Sequence, residues 1–75
     1  MTARRPRWFA LDIRGIYDPD DAIVYTMENT KRAAIRSVRD QGSGCVYGGY
    51  TQGRTGEIDR YHLVYWKDGD EEWRA

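Results

Sequence analysis

Residues 30–42 form the one segment whose pattern reads as a helix, and every other part of the chain must find cover against it. At 3.6 residues per turn, Ala34, Ile35 and Val38 fall on one narrow apolar stripe, while Arg32, Arg36 and Arg39 gather on the opposite side. Thr30 follows Asn29 as a side-chain cap, and Gly42 is free to take the left-handed conformation that ends a helix. A helix of about twelve residues is roughly 18 Å long and about 10 Å wide. It can roof one face of a small sheet and no more.

The flanking segments read as strands. Phe9, Leu11 and Ile13 alternate with Trp8, Ala10, Asp12 and Arg14, the period of two expected of a strand with one buried face. Gly15 interrupts that run and reads as a bulge. Asp18, Pro19, Asp20 and Asp21 have the chemistry of a turn leading into a strand over residues 22–27. The competing reading caps a long helix with Asp18 and puts Pro19 at its first position. The β-branched and aromatic run Ile23, Val24, Tyr25 and Thr26 favours the strand. Residues 45–52 read as a third strand, whose paired Gly48 and Gly49 point to a bulge or to a close approach by a backbone or ring. Residues 53–56 read as a hairpin turn, residues 61–67 as the last strand, residues 1–6 as a basic arm and residues 70–75 as an acidic tail in which Trp73 folds back. The expected fold is a single α+β domain over residues 1–75: an antiparallel sheet in the order strand, strand, helix, strand, strand, with the helix on one face.

With 75 residues the chain has a small core, because a domain of this size buries only roughly 60% of its unfolded surface. If Phe9, Leu11 and Ile13 face the helix, Trp8, Ala10, Asp12 and Arg14 fall on the open side. Ten aromatic residues are more than such a core absorbs, so rings are expected on the open face, and exposed apolar patches mark interfaces.

Twelve basic residues cancel twelve acidic ones, so no global field draws the chain to nucleic acid or an anionic membrane. The charges are nevertheless segregated, with Arg4, Arg5, Arg7 and Arg14 early, the arginines of the helix in the middle, and Asp68, Asp70, Glu71 and Glu72 late. Weak helical pairs Glu28–Arg32 and Arg36–Asp40 are the plain explanation of the basic stripe.

Motifs for chemistry are lacking. Cys45 is the only cysteine, which excludes an internal disulfide framework and a cysteine-based zinc site and suits a reducing cytoplasm. His62 has no second histidine or cysteine at ligand spacing, and the acidic clusters lack the ligand pattern of a calcium loop. A nucleophilic Cys45 working with His62 is the residual catalytic reading. No apolar run is long enough to span a bilayer.

The expectation is therefore a non-enzymatic interaction module without metal or cofactor. It docks an aromatic and arginine sheet face on a larger protein, or on a copy of itself, through Trp8, Arg14, Tyr25, Arg32, Arg36, Arg39, Tyr65 and Trp66. A single-stranded nucleic-acid binder, stacking bases on the same rings, is the alternative.

Overall fold

The computed structural model describes residues 5–51 and 58–75. The expected hairpin turn and most of the expected basic arm lie outside those residues. Five strands, β1 (Arg5–Leu11), β2 (Val24–Glu28), β3 (Ser43–Thr51), β4 (Ile58–Asp68) and β5 (Glu71–Arg74), form one antiparallel sheet in the order β2-β1-β3-β4-β5. The helix α1 (Lys31–Gln41) lies across it, giving the two-layer α+β fold that the sequence implies.

The caps of α1 are the expected ones. Thr30 Oγ1 accepts a hydrogen bond from the Ala33 amide at 3.2 Å, and Gly42, at φ 88°, donates its amide to the Val38 and Arg39 carbonyls. The turn reading of Asp18 to Asp21 also holds: the Asp21 amide donates to the Asp18 carbonyl, and β2 follows. A long helix from Pro19 does not form. Residues 70–75, expected as a tail, contribute β5 instead, with Trp73 directly opposite Trp66.

Beneath α1 lie Ala10, Val46, Val64 and Tyr65, meeting Ala34, Ile35 and Val38, with Trp8 and Tyr25 packed against the edge of this cluster. Two irregularities build it. Ala10 pairs with Thr26 and Leu11 with Val24, so Tyr25 is an extra residue in β2. Val46 pairs with Tyr65 and Tyr47 with Leu63, so Val64 is an extra residue in β4. Each bulge turns two consecutive side chains toward the helix. Both bulges lie in the same cross-strand row as Ala10 and Val46, so small residues form the middle of a trough and larger ones its walls.

The faces of β1 fall the other way from an arrangement with Phe9, Leu11 and Ile13 toward the helix. Trp8 and Ala10 lie on the helix side, whereas Phe9 and Leu11 join Cys45 and Tyr47 in a second cluster on the opposite face. The physical reason is closeness of approach: a helix stripe of Ala34, Ile35 and Val38 sits down best on Ala10 and Val46.

The opposite face is not left open either. Residues expected to extend β1 fold back as a 3-10 turn, Ile13–Ile16, which roofs the second cluster together with Ala22. Gly15 is no strand bulge. It is the point where the roof touches the sheet, because a Cβ placed there would lie 2.7 Å from Cys45 Sγ and 3.0 Å from Leu11 Cδ1. Gly48 likewise marks a close approach, its missing Cβ lying 3.3 Å from Trp8 Nε1.

Candidate docking site

The 3-10 turn is held by Asp12. Its carboxylate accepts from the Arg14 amide at 3.0 Å, from Arg14 Nη2 at 3.1 Å and from the Ile23 amide at 3.1 Å, and its carbonyl accepts from Cys45 Sγ. The Arg14 side-chain hydrogen bond is the largest influence on the Asp12 carboxyl and, joined by the Ile23 and Arg14 amides, outweighs the opposing effect of burial and holds it below the usual aspartate range. Tyr47 adds a strut from below, its hydroxyl donating to the Gly15 carbonyl at 2.7 Å.

A roof of four residues covers only the middle of a five-stranded face. On its β4 and β5 side an open groove of about 440 Å³ remains, lined by Ile13, Arg14, Ile16, Tyr17, Trp66, Asp68 and Glu71. Tyr17, the residue after the turn, is 89% exposed; Trp66 is half-buried at the groove base, and Trp73 opposite it is 40% exposed. On the β2 side Val24 and Met27 are also exposed, beside the strand pairs Leu11–Val24 and Phe9–Met27.

The residues expected to form one site are thus divided. Arg14 and Trp66 share the groove. Trp8, Tyr25 and Tyr65 belong to the helix face, where Tyr65 is fully buried and Tyr25 donates its hydroxyl to the Ser43 carbonyl. Tyr65 is core, and Trp8 and Tyr25 are partly buried against it, because the bulges turn Tyr25 and Tyr65 under α1. Arg32, Arg36 and Arg39 line a separate groove between α1 and Arg74 of β5. The helical pairs Glu28–Arg32 and Arg36–Asp40 do not form; Arg39 instead grips Glu72 of β5, with Nε–Oε2 at 3.3 Å and Nη2–Oε1 at 3.4 Å.

Sequence reasoning did not single out the exposed rings of Tyr17 and Trp73. Tyr17 carried one usable signal, a ring placed immediately before the turn formers Asp18 and Pro19, where no strand partner is available to cover it.

Cys45 and His62 do not meet. Cys45 is buried in the second cluster, and burial, reinforced by the nearby Asp12 charge, pushes its thiol up to about 12. His62 pairs with Gly48 on the helix side of the sheet. A buried thiol that resists ionisation is a weak nucleophile. Among the described residues no group of three or more His, Cys, Asp and Glu side chains converges as a metal site, and no helix is long and apolar enough to cross a membrane. Comparison of the chain with known protein families, curated proteins and solved structures finds no match.

Proposed function

We propose that the protein is a small non-enzymatic interaction module that docks on a larger protein through the groove beside the 3-10 turn. The observation that carries this reading is the exposure of Tyr17, 89%, beside Trp66 and with Arg14 in the same groove. Aromatic and arginine side chains supply most of the affinity at protein interfaces, and a ring standing in water beside a half-buried tryptophan gains most from being covered. Trp73 extends the apolar surface onto β5, while Asp68 and Glu71 give it a polar rim. Arg14 is already oriented by Asp12, so a partner's carboxylate meets a guanidinium that has little freedom left to lose.

Pull-down from the native host with Tyr17→Ala and Trp73→Ala variants tests the proposal, with light scattering to follow self-association. Tyr17 is exposed, so its variant should keep the fold, and circular dichroism checks Trp73→Ala, whose ring also helps to hold β5. Loss of a captured partner in both variants is the expected result. Capture and oligomeric state unchanged from wild type would overturn it. Loss of self-association alone would identify a second copy of the chain as the occupant.

The single-stranded nucleic-acid reading draws support from the cations of α1, but the rings it needs for stacking are mostly spent in packing, Tyr65 at 0% exposure above all.

A further inference from the structure

A second groove, which shares no lining residue with the first, lies between α1 and the end of β5. It has a volume of about 500 Å³ and is lined by Lys31, Arg32, Ile35, Arg36, Arg39, Asp40 and Arg74. Five cations therefore face one acid in a chain whose formal charges sum to zero. We propose that this groove is a binding site for an acidic segment of a partner protein.

The chain itself shows how the groove treats a carboxylate. Glu72, carried on β5, is gripped by the forked guanidinium of Arg39 and accepts a hydrogen bond from the Tyr65 hydroxyl. Arg39 and Arg74 lie over the Tyr65 ring, 5.9 and 6.0 Å from its centroid, so both are held in place by an aromatic plate. Lys31, Arg32 and Arg36, by contrast, make no ion pair among the described residues. One end of the groove is satisfied by a strand-borne carboxylate, and the other presents the same chemistry with no ion pair formed among the described residues. Arg32 and Arg39 are separated by roughly 10 Å along the helix axis, a span that about three residues of extended chain would cover.

A peptide fits this arrangement better than a nucleic acid does. Base stacking needs an exposed π-face, and the ring at this site, Tyr65, is fully buried beneath its arginines. A chain of zero net charge also lacks the long-range field that draws a polyphosphate. Ile35 and the methylene stems of the arginines give the groove an apolar base on which an aliphatic side chain between two acids can rest.

Fluorescence anisotropy with a labelled peptide of alternating Glu and Leu, and separately with a labelled oligothymidylate, tests the site in the full chain. The peptide is expected to bind, with affinity falling as salt rises, and to lose roughly tenfold or more in an Arg32→Glu, Arg36→Glu double variant, equivalent to about 1.4 kcal/mol. Glu72→Gln, which releases Arg39, should tighten it, and Tyr17→Ala should leave it unchanged. Circular dichroism verifies that the exposed double variant stays folded, and Arg32→Lys, Arg36→Lys, which keeps the charge, provides a second check by retaining most of the binding. Failure of the peptide to bind, full affinity in the charge-reversed variant, or tighter binding of the oligothymidylate through the same arginines would each overturn the assignment.

Discussion

The two faces of the sheet are covered by devices of very different size, and they earn their burial differently. One is roofed by the eleven residues of α1, which lie over small side chains and are walled by the bulged pairs of β2 and β4. The other is roofed by the four residues of the 3-10 turn, which have no helical periodicity to recommend them and rest on larger groups, Phe9, Leu11 and Tyr47. The lesson is that a face can be sealed at its centre by a short segment if that segment is pinned by hydrogen bonds, here those of Asp12 and Tyr47. What a short roof cannot do is reach the margins, and the exposed rings of Tyr17 and Trp73 lie where it stops.

The sharpest way to break this comparison is Leu11→Ala. If the turn closes a true core, truncating a side chain that is only 4% exposed should destabilise the fold by roughly 2–5 kcal/mol, read from the midpoint of urea denaturation. A loss below about 1 kcal/mol would mean that the face is merely shaded. Gly15→Ala comes next. With Cys45 Sγ only 2.7 Å from the new Cβ, lifting the roof should cost about 1–3 kcal/mol and raise the reactivity of Cys45 toward a thiol reagent, while leaving the helix face intact.

The smallest effects lie in the acid limb. Asp12, which holds the turn, and Glu72, which ties β5 to α1, both have carboxyls held below their ordinary values of 3.8 and 4.5. For Asp12 the leading cause is the Arg14 hydrogen bond; for Glu72 it is the Tyr65 hydroxyl and then Arg39. A carboxyl that is more acidic when folded stabilises the native state in full above its unfolded value, and the contribution drains away as pH falls through the folded one. Stability should therefore decline below about pH 4.5. Asp12→Asn should flatten that decline, and Glu72→Gln should flatten it less, since an exposed pair is screened by water. Equal acid limbs in all three proteins would show that neither carboxylate matters to folding.

How much of this could be read in advance depends on whether the period was kept. The helix was legible because Ala34, Ile35 and Val38 keep a single stripe between Thr30 and Gly42, and the turn at Asp18 to Asp21 was legible from its residue types. The faces were not. Period-two reading presumes unbroken alternation, whereas Tyr25 and Val64 each insert a residue that repeats the previous orientation. Both faces of β1 are apolar, so alternation alone left open which of them seats the helix. The 3-10 turn lies below the length at which periodicity means anything. β5, with Glu71 and Glu72, has little strand propensity, and its place is secured by its neighbours, by Trp66 opposite Trp73 and by the Arg39–Glu72 pair. Of the expected site residues, Arg14 and Trp66 line the groove while Trp8, Tyr25 and Tyr65 pack on the helix side, a division that depends on which way the alternation runs.

The bulges have one more consequence, for tolerance of gain and loss in the gene. Removing the codon for Val64 would leave Leu63 and Tyr65 in strict alternation, so every surviving residue of β4 would keep its present side and α1 would lose one aliphatic neighbour. Removing the codon for Ala10 would do the reverse, because β1 runs in continuous register with β3 from Arg5 to Leu11 and has no slack to absorb the change. Length variation in this chain is thus permitted in β2 and β4, the strands flanking the central pair, and forbidden in β1.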